Sequence, residues 1–169
     1  MLPTPKGERM AERRDTGRLT GLQMVDLPPV WLVGAILLVR VQATLWPGAT
    51  RRFALTDGAG ILLVAAGIAL MLWAIAAFRA HRTTVVPHHT PTRIITSGPF
   101  ARSRNPIYLG DVLVLTGVIL WWGAWPSLVL IPAFVWILTR RFIAPEEARM
   151  KESFGAEFEA FAEKTPRWL

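Results

Sequence analysis

Few residues in this 169-residue chain can do chemistry, and most of the familiar constellations are missing. There is no cysteine, which excludes disulfides, thiolate metal sites and a cysteine nucleophile. His81, His88 and His89 are the three imidazoles. Adjacent histidines seldom hold one ion together, and no carboxylate cluster stands near them at ligand spacing, so no metal is expected. No serine or threonine sits in a nucleophile elbow, and no glycine-rich phosphate or dinucleotide loop is present. What remains is a polar and aromatic run, Thr96-Ser-Gly-Pro-Phe-Ala-Arg-Ser-Arg-Asn-Pro-Ile-Tyr-Leu-Gly110, followed by Asp111 and, later, Glu146-Glu147. Asp111 lies one turn into an apolar block, where an ionisable group is either functional and paired or an interfacial residue reaching for water. Glu146 and Glu147, on spacing alone, read as acids complementing a helix N-terminus. Arg40 is either a contact inside a bundle or a snorkelling stem near a helix end.

The elements that must position these residues follow from the composition. Apolar residues make up 52% of the chain and charged residues 18%, with mean hydropathy +0.36. A domain this small has abundant surface to cover with polar groups, so the composition argues against a soluble globule. Four apolar blocks carry the signal, at residues 30–46, 58–78, 106–122 and 126–142. The last two form one stretch that would be about 50 Å long as a single helix, too long for a hydrocarbon core of about 30 Å. It must fold back at Trp121-Trp-Gly-Ala-Trp-Pro126, a Gly/Pro turn set in an aromatic belt. The fold expected is therefore an all-α membrane protein of about four transmembrane helices, the last two a hairpin, plus a C-terminal amphipathic helix.

The net charge of +7 invites a nucleic-acid reading, but the basic residues border the apolar blocks. Sixteen of the 19 lie in residues 1–26, in residues 79–105 or after Thr139; two, Arg51 and Arg52, lie in the connection after the first span. This places both termini and the middle loop on the cytoplasmic side of a bacterial inner membrane, and makes nucleic acid an unlooked-for partner. The domain plan is an N-terminal cytoplasmic arm (1–26) and one membrane domain (27–169). The loop 79–105, rich in Pro, Thr, His and Arg, includes a short extended piece at Arg93 to Thr96 and is long for a mere connector. Met150, Phe154, Phe158 and Phe161 share one helix face. A single amphipathic helix is thus predicted over 145–163, lying on the membrane or capping the bundle, with Pro145 in its first turn.

The ordered motifs resemble those of the integral-membrane methyltransferases related to isoprenylcysteine carboxyl methyltransferase and phospholipid methyltransferase. The matching elements are Ile94-Ile95, Thr96-Ser97-Gly98, Phe100, Arg104-Asn105-Pro106-Ile107-Tyr108-Leu109-Gly110, Glu146-Glu147 and Phe154-Gly155 with Phe158 and Phe161, over roughly Thr83 to Leu169. The resemblance implies an S-adenosylmethionine site between the last two spans, the middle loop and the C-terminal helix, and an amphiphilic or lipid acceptor drawn from the membrane. It implies that Ile94, Ile95, Gly98 and Phe100 hold the adenosyl part. Arg104, Asn105, Pro106, Ile107 and Tyr108 would line the cofactor, with Glu146 and Glu147 at its polar end. An aromatic face and a carboxylate suit a cationic sulfonium. Asn105 stands where the eukaryotic carboxyl methyltransferases have His, and Phe142 where they have an Arg that orients the substrate carboxylate. Arg141 is the available substitute, and Arg141 and Asp111 are the candidate catalytic residues. Two other classes compete: an NADPH-dependent membrane reductase, since sterol reductases end in a similar R-H-P-N-Y motif, and a non-enzymatic membrane adaptor. Oligomeric state is not legible in the sequence.

Overall fold

The computed structural model describes residues 27–81 and 93–169. The N-terminal arm and residues 82–92, with His88 and His89, lie outside the described residues. The described residues form helices α1 (Pro28–Leu45), α2 (Ala54–Ala80), α3 (Pro106–Trp122), α4 (Leu130–Leu138), α5 (Ala144–Phe154) and α6 (Ala156–Lys164), with no β-strand among them. Three helical runs are long and apolar enough to cross a membrane: Pro28–Leu45, Ala54–Ala80 and the continuous Trp125–Phe154. Pro106–Trp122 is apolar but shorter, at 17 residues. The protein is an all-α membrane protein. Large side chains such as Leu62 and Leu72 stand exposed on α2, as a lipid-facing surface requires.

α3 is the central helix, with nine of its residues buried, and its partner is α2. The two approach so closely because glycines oppose glycines. A methyl group on Gly60 would lie 2.6 Å from the Gly117 carbonyl oxygen, and one on Gly117 would lie 2.5 Å from that of Gly60. Gly67 and Gly110 repeat the arrangement one heptad along, at 2.6 Å and 2.8 Å. Gly60, Gly67 and fully buried Ala74 are spaced by seven, so they form a single small-residue seam. In a bilayer, where apolar burial between helices gains little over lipid contact, such close backbone packing is a main source of association.

The connection between α1 and α2 is tied to the turn after α3. Gly123, left-handed at φ 61°, ends α3; its carbonyl accepts from the Arg51 N–H at 3.0 Å, and Trp125 Nε1 donates to the Arg51 carbonyl at 2.9 Å. Ser127 Oγ donates to Gln42 Oε1 at 2.8 Å, so α1 and the start of the last hairpin arm meet at this end. The predicted break at Trp121 to Pro126 thus falls where α3 ends.

Two boundaries differ from the sequence reading. The second helix extends from the expected 58–78 to Ala54–Ala80, its Asp57 and Arg79 complementing the helix dipole at either end. The single helix expected over 145–163 is two helices, α5 and α6, broken at Gly155 with φ 51° and ψ −122°. Nor is Pro145 at a free helix start. The fourth span passes without interruption through a π-helical turn, Thr139–Ile143, into α5. Pro145 has no N–H to give the Arg141 carbonyl, and the Ala144 N–H bonds the Thr139 carbonyl five residues back. The widened turn absorbs the missing bond. The apolar stripe of these helices caps the bundle: Phe158 and Phe161 are buried with Ala74, Ile95 and Phe100, and Met150 and Phe154 pack against them. An exposed Lys151–Glu159 pair at 2.8 Å links α5 to α6, and it holds the Glu159 carboxyl below its ordinary range. Residues 94–96 run without a β partner.

The seam predicts a sharp asymmetry between glycines of one helix. Gly117→Leu is expected to destabilise the α2–α3 pair by on the order of 1–3 kcal/mol through overpacking. Gly58→Ala, where a methyl meets nothing within 4 Å, is expected to be neutral or stabilising by up to about 1 kcal/mol. Unfolding titrations in mixed micelles would check both.

Candidate functional site

The loop end of α3 gathers the polar residues. Tyr108, in the first turn of α3, donates its hydroxyl to Glu146 Oε1 on α5 at 2.9 Å. Its ring stacks on Phe142 with centroids 6.3 Å apart and planes 29° from parallel. Phe142 lies in the π turn and Glu146 four residues beyond it, so one face of the continuous helix presents both to Tyr108. Asp111, three residues after Tyr108, is 3% exposed, and its Oδ2 has no hydrogen-bond partner. The snorkelling alternative for Asp111 is therefore excluded. A buried carboxylate oxygen without a donor beside a tyrosine–glutamate pair is an acceptor awaiting a donor.

The turn before α3 has a second anchor. Asn105 Nδ2 donates to the Arg167 carbonyl at 3.0 Å, and the Arg104 N–H donates to the Pro166 carbonyl at 3.0 Å. Ser103 Oγ receives the Asn105 N–H at 3.1 Å, which tightens the same turn. Glu147 is held by two guanidiniums: Arg104 at 3.2 Å, and Arg167, whose Nε also donates to it at 3.1 Å. The residues after α6 thus fold back over the Arg104-Asn105-Pro106 turn, and Trp168 packs against the cluster that contains Tyr108 and Phe142.

The structure sorts the sequence-predicted residues into groups. Tyr108, Asp111 and Glu146 converge, with Pro106 fully buried at the start of α3. Ile107 packs with Ile94 against a separate cluster that contains Ile95 and Phe100, whose ring meets Phe78 edge-on at 5.1 Å. Gly98, at φ 61°, lies where a side chain would approach the Trp73 indole at 3.6 Å. Arg104, Asn105 and Glu147 belong to the tail clamp; the Nε of Arg104 is buried without a partner, and its guanidinium stands 5.9 Å from the Phe158 ring centre. Arg141 is exposed beside Phe142, its guanidinium 5.4 Å above the Trp31 ring of α1. Arg40, by contrast, packs 5.9 Å over Trp122 at the other end of α1. His81 donates through Nδ1 to the Ala77 carbonyl at 2.8 Å, an end-of-helix contact.

Sequence reasoning missed the tail and the Tyr108–Glu146 pairing. The seven-residue glycine spacing was visible in the sequence; the pairing of residues 38 and 62 positions apart was not.

A helical membrane protein with a buried hydroxyl–carboxylate pair where its central helix meets a polar loop has the build of a membrane-embedded enzyme. Comparison with known families makes this specific: residues 56–157 match the phospholipid methyltransferase family, and the chain belongs to that family. The match spans α2 to the start of α6 and leaves out α1 and the C-terminal tail. Neither curated proteins nor solved structures give a match to this chain.

The clamp predicts a local rather than global effect. Glu147→Gln is expected to speed amide hydrogen exchange at Thr165 to Leu169 about tenfold, equivalent to ~1.4 kcal/mol of local opening. Exchange within α3 should be unchanged, as read by mass spectrometry.

Proposed function

We propose that the protein is an S-adenosylmethionine-dependent methyltransferase of the isoprenylcysteine carboxyl methyltransferase type, acting on an amphiphilic acceptor. Membership of a methyltransferase family supports the reaction class. The observation that supports the site is the unpartnered Asp111 Oδ2 beside the Tyr108–Glu146 pair. The donor set fits the cofactor: two carboxylates and the faces of Tyr108 and Phe142 suit a ligand that bears a sulfonium and an ammonium group.

When bound, S-adenosylmethionine supplies a methyl group on a positively charged sulfur. The chain's own residues do the rest by binding and alignment. The Tyr108 hydroxyl occupies one oxygen of Glu146 and leaves the other for a ligand N–H or O–H. Asp111 offers a second buried acceptor on the same helix face. Ile94, Ile95, Gly98 and Phe100 shape the adenosyl side, and Pro106 and Ile107 complete the wall. Asn105 and Glu147 serve by holding the tail over the turn, and the covering tail excludes water. Arg141 is the group positioned to meet an anionic acceptor head. Both termini and the loop lie on the cytoplasmic side, a reading supported by the distribution of basic residues, and the donor enters from there.

Titration of detergent-purified protein with S-adenosylhomocysteine tests the assignment. Glu146→Ala is expected to weaken binding at least about tenfold, or ~1.4 kcal/mol, with Tyr108→Phe weakening it less. Tight NADPH binding without S-adenosylhomocysteine binding would favour the reductase, and binding untouched by both variants would favour the adaptor. Because the chain has no cysteine, single cysteines report topology without background. Ala49→Cys is expected to react with an impermeant maleimide in spheroplasts, and Glu163→Cys only after lysis.

A further inference from the structure

Between α1 and α4 lies an apolar trough of about 480 Å³. Val30, Gly34 and Leu38 recur every four residues along α1, and Ala133 and Ile137 face them from α4. The trough exists because small residues line it. At Gly34 a methyl group would meet nothing within 4 Å. From Val30 to Leu38 it runs about 12 Å, close to the ~15 Å of one leaflet's hydrocarbon.

Its two ends differ. The helices are antiparallel, Gln42 meeting Ser127 at one end and Trp31 meeting Arg141 at the other. Arg140 and Arg141 therefore stand at the Val30–Ile137 end, whereas the Leu38 end is apolar. Phe134, which lines the trough, belongs to the same packed cluster as Tyr108 and Phe142. The cationic mouth thus adjoins the Tyr108–Glu146 pair. A hydrocarbon chain in the trough would bring its head group to Arg141, where a guanidinium favours an anion.

We propose that the α1–α4 trough seats the hydrocarbon chain of the methyl acceptor, an anionic amphiphile whose head group meets Arg141. The proposal rests on the methyltransferase reading above. It assigns a role to α1, which lies outside the family match, and makes Gly34 the residue that sets how thick a chain is admitted.

The full chain in phosphatidylcholine nanodiscs, doped with a phosphatidic acid bearing a diazirine in its acyl chain, gives the test. After irradiation, adducts mapped by mass spectrometry are expected at Gly34 to Leu38 and Ala133 to Ile137, about tenfold above those on the exposed Leu62 to Leu72 face of α2. Gly34→Phe and, independently, Ala133→Phe are expected to remove that excess while leaving S-adenosylhomocysteine affinity unchanged. Even labelling of α1, α2 and α4 overturns the proposal. So does labelling that survives both variants, or equal labelling by a diazirine phosphatidylcholine. Confined labelling with no S-adenosylhomocysteine binding defeats the methyltransferase reading and the acceptor with it; even labelling with binding intact defeats the trough alone.

Discussion

The closest approach in the molecule is between two backbones. Gly60 against Gly117 and Gly67 against Gly110 bring α2 and α3 to a separation that no side chain could share. In water such a contact would be supplementary to apolar burial. In a bilayer the lipid competes for every apolar surface, and association falls to dense packing and weak C–H···O contacts between exposed carbonyls and Cα atoms. The seam fixes both the depth and the rotation of α3. Everything the site needs follows from that rotation, because Tyr108 and Asp111 project from the same helix.

A fixed α3 is of use only if the opposing helix offers its groups at the right angle. The π turn supplies that adjustment. A proline at 145 in a regular α-helix would leave an unanswered carbonyl and a steric clash at Arg141. Widening the turn removes both and rotates the following residues relative to the span. Phe142 is then buried against the Tyr108 ring while Glu146 reaches its hydroxyl. Arg141, next to Phe142, faces α1 instead. One local distortion therefore separates an inward-facing carboxylate from an outward-facing cation.

The tail adds a constraint of a different kind. Asn105 and Arg104 use an amide and a backbone N–H to hold the carbonyls of Arg167 and Pro166, and Glu147 neutralises two guanidiniums at once. Charge-assisted bonds of this sort are directional and stronger than neutral ones. They tie the last residues of the chain to the turn that opens α3, and Trp168 covers the Tyr108 cluster. Adjacent glutamates consequently do unlike work. Glu146 faces the buried pair, and Glu147 belongs to the clamp.

The apolar blocks, the Gly/Pro break at Trp121 to Pro126 and the ordered motif set were legible in the sequence by themselves. Each depends on local composition or spacing, which a membrane's thickness converts directly into helices and turns. The membership of a methyltransferase family follows from the same motifs. The amphipathic stripe was legible too, but not its break at Gly155 or its burial against Phe100 and Ala74, since a period says which face is apolar and not what covers it. The burial of Asp111, the pairing of Tyr108 with Glu146, and the division of labour between Glu146 and Glu147 were decided by tertiary structure alone. These join residues tens of positions apart, and the geometry that unites them comes from a glycine seam and a widened helical turn. Sequence spacing within one helix specifies a face; only packing between helices specifies which faces meet.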